Sequence, residues 1–413
     1  MINFKFLNPI LINIIIASII PFLIWGPFFP DLIVSISALF FIFFLFKKKN
    51  FYYFKKKPFI MFLLFCIIST LISLASKNIS LSIYSSFFYF RIGIFSCFIW
   101  YLIDKDKNLL NYFYYALMFC FLILVIDGYF QYFSRVNLLG FKIIGIRVSS
   151  LFGDELIMGS YLSRLFPLLF ALFLVKHKFK FEIYFIGLLF ILVDILIYIS
   201  GERTSFFFLN LSTLFIIILI KKYQIFRLVT FIIAIICIIF LSLSSPDLND
   251  RMFKSPAEDM GFIKSLKKPS IFSPNHDSHY RTAYNMFKDK FIFGHGPKMF
   301  RVLCKDEKYA EGVKPCSTHP HNFYIQLLAE TGIIGFLFLF CALCYVLFTA
   351  LMQFKAIILK QKRPLTDYQV CLLAGILITV WPFSPNGNFF NNWLMIVYSL
   401  PVGFYLQSIY SKR

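Results

Sequence analysis

The sequence predicts an all-α, polytopic integral membrane protein with about twelve transmembrane helices and a large loop between helices nine and ten. Three observations predict this class. Apolar residues occupy 59% of the 413 positions and mean hydropathy is +0.77, values foreign to a soluble single-core domain. The apolar residues form long runs. The loops between these runs alternate between strongly and weakly basic.

Each apolar run approaches the length of about 17 to 25 residues with which a helix spans a hydrocarbon core. The first run lacks a small-residue cleavage site and leads straight into the second, so no cleavable signal peptide is expected. We divide the chain into helices one to nine (1–245), a loop (246–322) and helices ten to twelve (323–413). The runs lie at 9–29, 31–46, 58–75, 81–103, 109–133, 156–175, 181–200, 205–220, 227–245, 323–352, 366–383 and 392–410.

Basic residues predict the orientation of these helices. The set of loops that includes both termini carries 21 lysines and arginines, among them Arg227, whereas the short loops of the other set carry five. The positive-inside rule therefore places both termini in the cytoplasm and the large loop on the outer face. The net charge of +21 reflects topology and a lipid-facing fringe, so nucleic acid is not expected as a partner.

The large loop holds most of the side chains that titrate near neutral pH. Five of the six histidines lie at 276, 279, 295, 319 and 321. Residues 277–290 have helical spacing, and a turn rich in glycine and proline follows at 291–297. Cys304 and Cys316 lie on the outer side, where a disulfide is permitted, and the sequence leaves open whether they pair.

Three residues are the main candidates for chemistry. Arg203 lies in a polar turn of a few residues between two apolar runs, which positions it at the membrane boundary, although contact with lipid phosphate is an alternative. Arg281 lies on the predicted loop helix, where a plain surface role is equally open. His321 opens span ten and can act as a general base.

A zinc site is the rival interpretation of the histidines. His276, His279, His319 and His321 could supply four ligands, but no cysteine or carboxylate cluster joins them at typical spacing, so no metal is expected. Glu330 lies half a turn out of phase with His321 on a regular helix.

Several residues inside the spans call for an explanation by packing. Gly332 and Gly335 are expected to permit close helix packing. Four charges, Arg91, Asp127, Arg164 and Asp194, must line an interior or pair with one another. The two arginines could form a path for an anionic head group, and pairing with the two aspartates is an equal alternative.

Three segments carry a resemblance to a known family. They are Gly201-Glu-Arg-Thr204 at the short outer turn, Tyr280-Arg281 followed by Phe293-Gly-His-Gly-Pro297, and His321-Asn-Phe-Tyr-Ile-Gln-Leu-Leu-Ala-Glu-Thr-Gly332. Over roughly residues 180–345 the chain resembles the O-antigen ligase and polymerase superfamily. These integral membrane enzymes move a glycan from a polyprenyl diphosphate carrier to an acceptor hydroxyl.

The resemblance implies an inverting, metal-independent transferase without cofactors in a bacterial inner membrane, with its site on the periplasmic face. It implies that Arg203 and Arg281 bind the diphosphate and that His321 activates the acceptor hydroxyl, with His319 and Asn322 as further substrate-binding residues. Ligation onto a lipopolysaccharide core is preferred over polymerisation of repeat units or transfer to protein. A transporter of lipid-linked sugars or small anions, or a non-enzymatic assembly factor, are the alternatives from other classes.

Overall fold

The computed structural model describes residues 8–176, 180–262 and 272–411. Over these ranges the chain is helical, and its only extended pairing consists of two isolated bridges, Val136 with Lys142 and Ile144 with Arg147. The all-α class is confirmed.

Each predicted apolar run corresponds to one helix or to adjoining helical segments. The helices are α1 Pro9–Trp25 (Pro9–Ala17 and Ile19–Trp25), α2 Phe28–Lys48, α3 Lys57–Leu74, α4 Ile79–Lys105 (with a 3-10 turn, Phe87–Tyr89), α5 Leu109–Ser134, α6 Met158–Lys176, α7 Lys180–Ile199, α8 Arg203–Leu219, α9 Gln224–Ser244, α10 Pro274–Asp289 in the loop, α11 Phe323–Ile358, α12 Asp367–Thr379 and α13 Asn392–Tyr410.

Nine helices in the described ranges are long and apolar enough to cross a membrane. Three more apolar helices, α1, α8 and α12, are shorter. A multi-pass membrane protein is therefore supported, and the number twelve stays a prediction.

Helix α6 lies at the centre of the bundle. It packs against α5, α8 and α12, and almost all of its side chains from Met158 to Phe173 are buried. Helix α13 packs mainly against α4. Because α6 is enclosed on several sides, a charged side chain on it has no direct route to lipid.

The interior charges do not pair as the sequence suggested. Arg227, counted above among the loop arginines, lies inside α9, fully buried, and its guanidinium contacts the Asp194 carboxylate at 2.9 Å. Asp127 accepts from the Ser150 hydroxyl at 2.6 Å and from the Leu138 N–H at 2.8 Å. Arg91 binds Asp31 of α2. Of the two arginines in this set, Arg91 and Arg164, only Arg164 has no ion-pair partner among the described residues.

The large loop folds onto the start of α11. Besides α10 it contains the helices Pro246–Asn249, Ser255–Asp259 and Phe300–Leu303 and a π-helical turn, Asp250–Lys254. Cys304 and Cys316 form a disulfide, with their Cα atoms 4.9 Å apart. The Glu330 carboxylate is fully buried and accepts the Phe300 N–H at 3.1 Å, so it anchors the loop to α11.

The expectation that Gly332 serves helix packing is wrong. Its φ of +64° interrupts α11, and the next N–H, that of Ile333, bonds the Phe291 carbonyl at 2.9 Å. A Cβ at Gly332 would collide with the Ile292 carbonyl of the loop, so the glycine admits loop backbone. At Gly335 a Cβ would collide with the Thr331 side chain of the same helix, whereas Phe65 of α3 lies at an ordinary contact distance of 3.5 Å.

Candidate active site

A cavity of about 860 Å³ lies at the end of the bundle where α6, α8 and α13 begin. We call it the main cavity. Helix N-termini carry partial positive charge, and the N-terminus of α8 lies at this cavity. Its charged and titratable lining residues are Arg147, Glu155, Arg164, Glu202, Arg203, Arg251, His319 and His321.

Arg203 is held at the cavity by the turn before α8. It is the first residue of that helix, and its Nε donates to the Arg251 carbonyl at 2.7 Å. Gly201 in the turn has a φ of +66°, and a Cβ there would lie 2.7 Å from the Nε of Arg251. The glycine therefore permits the two arginines to approach the same turn.

Arg147 and Arg251 complete an arginine cluster with Arg203. Arg251 lies in the π-helical turn and donates from Nε to the Gly201 carbonyl at 2.9 Å. Arg147 donates from Nη2 to the Leu156 carbonyl at 3.2 Å. Burial lowers the pKa of both guanidiniums, and repulsion from neighbouring arginines adds to the effect. Each keeps further N–H groups for a ligand, in the fork geometry that suits phosphate.

Glu202 joins the starts of α6 and α8. Its carboxylate accepts the N–H of Gly159 at 2.7 Å, the N–H of Ser160 at 2.9 Å and the Ser205 hydroxyl at 2.9 Å. Burial raises the pKa of Glu202 to about 7. Glu202 therefore holds the starts of α6 and α8 together at the cavity, and its carboxyl group gains or loses a proton near pH 7.

Arg164 of α6 is 4% exposed and lies between two aromatic rings, 4.6 Å from the centroid of Phe208 and 4.2 Å from that of Tyr398. Its Nη2 donates to the Asn386 side-chain oxygen at 3.1 Å, whereas Nε and Nη1 have no hydrogen-bond partner among the residues that the structure describes. Glu202 lines the same cavity and acts on Arg164 electrostatically, but among the described residues no carboxylate lies within ion-pair distance of this guanidinium. A buried guanidinium without a direct ion pair is costly, so its presence at a cavity favours an anionic ligand.

Four histidines form a cluster, and two of them, His319 and His321, line the main cavity. The ring of His321 lies 4.1 Å from that of His319, 5.6 Å from His276 and 5.4 Å from His279, measured between centroids. The last two are carried by α10 of the loop. His321 has a φ of +62°, unusual for a side chain of this kind, and its carbonyl accepts the Asn386 N–H at 2.8 Å.

Burial sets the protonation of this cluster. It lowers the pKa of His321 to about 3 and that of His319 to about 4, with further lowering from the neighbouring charges. Both imidazoles are therefore neutral at pH 7. Within the described part of the chain, no three or more His, Cys, Asp or Glu side chains are arranged to hold a metal ion.

Two predicted site residues lie elsewhere. The Arg281 guanidinium binds Asp277 at 2.7 Å and Glu311 at 3.3 Å, is 58% exposed and does not line the main cavity. Asn322 caps α11 by accepting the Tyr324 N–H at 2.9 Å, and its amide donates to the Pro382 carbonyl at 2.7 Å. The remaining three predicted residues are brought together at the cavity.

Sequence reasoning missed Arg147, Arg251 and Glu202. Arg147 had entered only the count of outer-loop charges, and Arg251 only the large loop as a whole. For Arg147 a signal was present in the orientation argument, because arginines are few in the short loops of the outer set. Nothing local to either residue predicts that both side chains reach the turn before Arg203.

Residues 186–340 match a protein family described as O-antigen ligase. The match confirms the resemblance to the O-antigen ligase superfamily. It includes Arg203, Arg251 and His321, whereas Arg147 and Arg164 precede it. No curated protein matches the chain.

Proposed function

We propose that the protein transfers a glycan from a polyprenyl diphosphate carrier to an acceptor hydroxyl in the main cavity. The observation that carries the proposal is the meeting of the arginine cluster, Arg164 and a neutral His321 in one chamber. In this reaction the bond between the anomeric carbon and the diphosphate breaks. The acceptor oxygen bonds that carbon, which inverts its configuration, and the acceptor proton passes to the imidazole.

The arginines account for departure of the diphosphate. Negative charge grows on the leaving group in the transition state, and fixed guanidiniums stabilise it most effectively where water is scarce. In this proposal Arg203 keeps the role that the resemblance implies. Arg147 and Arg251 take the place expected for Arg281, because their guanidiniums line the cavity and that of Arg281 is bound to two carboxylates.

The low pKa of His321 fits a base that becomes stronger when the donor binds. Without an anion nearby, burial disfavours the imidazolium. A diphosphate at the arginine cluster would bring negative charge to the same chamber and favour the protonated ring. Donor binding would therefore raise the pKa of His321 towards the range in which general bases are effective.

The same proposal places the cavity on the periplasmic face of a bacterial inner membrane, with both termini in the cytoplasm. The excess of basic residues in the loops of the terminal set supports this orientation. The disulfide between Cys304 and Cys316 supports an oxidising compartment for the large loop. Lipopolysaccharide core remains our preferred acceptor, and polymerisation or transfer to protein would use the same chemistry.

The test is transfer by purified protein in nanodiscs, with a synthetic polyprenyl diphosphate glycan as donor. Arg203→Gln and Arg203→Lys should both lose activity, since lysine restores charge but not the planar fork. Arg281→Gln is the matched control and should retain activity, because its partners lie outside the cavity. Retained configuration in the product, or the opposite ranking of the two arginines, would contradict the proposal. A transporter would move the donor without consuming it.

A further inference from the structure

Asn386 lies in the segment between α12 and α13 (residues 380–391) and lines the main cavity. It is 5% exposed, and two of its polar groups bond residues of the candidate site. Its backbone N–H donates to the His321 carbonyl at 2.8 Å, and its side-chain oxygen accepts from Nη2 of Arg164 at 3.1 Å. One residue therefore contacts both the buried guanidinium and the histidine of the main cavity.

The orientation of the Asn386 amide follows from a further hydrogen bond. Its side-chain nitrogen donates to the Ser384 carbonyl at 3.3 Å, which leaves the oxygen directed at the guanidinium. A guanidinium offers N–H donors only, so the oxygen is the atom of the amide that can bind Arg164. The neutral amide thereby holds Arg164 without cancelling its charge.

The segment that carries Asn386 is anchored to α11. The fully buried Gln326 donates from its amide to the Asn388 side-chain oxygen and accepts the Phe389 N–H, both at 2.9 Å. Together with the bond to the His321 carbonyl, this segment is tied to the start of α11 at two levels. The Asn386 side chain therefore holds its guanidinium partner at a set place relative to the histidine.

A second buried guanidinium, that of Arg227, is bound differently. It lies 4.6 Å from the centroid of Phe166 and 5.5 Å from that of Phe190, an aromatic setting like that of Arg164, but its partner is the Asp194 carboxylate. Arg227 does not line the main cavity. The chain thus pairs a buried arginine with a carboxylate away from the cavity and with a neutral amide at it. A carboxylate would satisfy the guanidinium and leave less of its charge for a ligand.

We propose that Asn386 is a positioning residue that keeps the Arg164 guanidinium directed and uncompensated for the diphosphate of the donor. The amide oxygen holds Nη2, and among the described residues Nε and Nη1 have no hydrogen-bond partner, so both remain for the ligand. The inference rests on the proposed function for the identity of that ligand. A carboxylate at position 386 would bind Arg164 more tightly and impair donor binding for that reason.

The first experiment compares Asn386→Asp with Asn386→Ala in steady-state transfer. The aspartate keeps the shape and the acceptor but pairs with Arg164, so the donor KM should rise about tenfold to a hundredfold, as expected for the loss of one charge-assisted hydrogen bond. The alanine leaves the guanidinium charged but undirected, so kcat should fall while the donor KM changes less than in the aspartate variant. If the amide were only structural, the aspartate would be the milder change in both constants, and that result would overturn the proposal.

Two controls separate pairing with Arg164 from general repulsion of the anion. Asn392→Asp adds the same charge at an exposed position of α13 that does not line the main cavity, and it should match the wild type. In an Arg164→Met background, Asn386→Asp should change the donor KM by at most about twofold, because its partner is gone. An equal rise of the donor KM in both backgrounds would refute the pairing.

The second experiment measures binding and stability without catalysis. A fluorescent polyprenyl diphosphate that carries no glycan should bind the wild type in nanodiscs, and Asn386→Asp should weaken this binding by the factor by which it raises the donor KM. The unfolding temperature of Asn386→Asp should not fall below that of Asn386→Ala, because the new carboxylate lies beside a guanidinium. A lower unfolding temperature in the aspartate variant would show that the carboxylate is unpaired and would contradict the proposal.

The outcomes separate the role of Asn386 from the proposed function. If glycan transfer occurs and Asn386→Asp binds the diphosphate as the wild type does, the positioning role is wrong and the transferase stands. If no glycan is transferred but the diphosphate binds and Asn386→Asp weakens its binding, the positioning role stands without the proposed reaction. Failure of the wild type to bind polyprenyl diphosphate would overturn both.

Discussion

Replacing Arg164 by methionine tests the chemistry of the main cavity most directly. Among the described residues its Nε and Nη1 have no hydrogen-bond partner, and Arg164 lines the main cavity. If both bind the diphosphate, each contributes about 1.5–3 kcal/mol, the usual range for a hydrogen bond with a charged group. Their loss corresponds to about 3–6 kcal/mol, or roughly 10² to 10⁴ in kcat/KM for the donor.

Stability should move in the opposite direction. Among the described residues the buried Arg164 guanidinium has no carboxylate within ion-pair distance, and methionine can keep the contacts with Phe208 and Tyr398. Removing such a charge should leave the unfolding temperature unchanged or raise it. Arg227→Met is the matched control, because it removes a buried arginine that does have a carboxylate partner, Asp194. That variant should lose about 3–5 kcal/mol of stability.

The assay pairs kcat/KM for the donor with thermal unfolding in the same nanodiscs. Arg164→Lys should recover only part of the activity, since one ammonium cannot reproduce two directed N–H groups. Wild-type kcat/KM in Arg164→Met at normal abundance would refute a ligand-binding role. A loss of stability as large as that of Arg227→Met would show that Arg164 is structural.

The remaining predictions concern the histidines, the loss of activity at acid pH and the effect of a metal chelator. His321→Ala should lower the rate of transfer by a factor of about 10² to 10⁴ and leave donor binding unchanged. His319→Ala should have the smaller effect. If His319→Ala lowers the rate more at equal protein abundance, His321 is not the base. As pH falls through about 7, Glu202 gains a proton and its ionised form, which accepts two backbone N–H groups, is lost. The kcat/KM of the wild type should therefore fall below pH 7. If Glu202→Gln shows the same dependence of kcat/KM on pH, protonation of Glu202 is not the cause. Transfer should persist in excess chelator, and loss that zinc restores would make the four clustered histidines metal ligands.

The sequence by itself determined the helical class, the approximate bounds of the helices, and three side chains of the candidate site, Arg203, His319 and His321. Hydropathy and the short turn around Arg203 are local properties, as is the position of His321 at the head of α11. Such properties can be read without knowing what packs against what. The same reasoning placed Arg281 and Asn322 in the site, because a helix surface or a helix start looks alike with or without a ligand.

Only the tertiary structure decided which cations share a chamber. Arg203 and Arg251 are 48 positions apart. The Arg203 guanidinium nevertheless donates to the Arg251 carbonyl, and the Arg251 guanidinium donates to the Gly201 carbonyl, two residues before Arg203. The Arg281 guanidinium contacts Asp277, one turn earlier on α10, and Glu311, 30 positions away. A guanidinium takes its direction from the acceptors around it, and each of these three arginines has at least one acceptor in a distant segment. Residue spacing along the chain therefore predicted candidates, and packing selected among them.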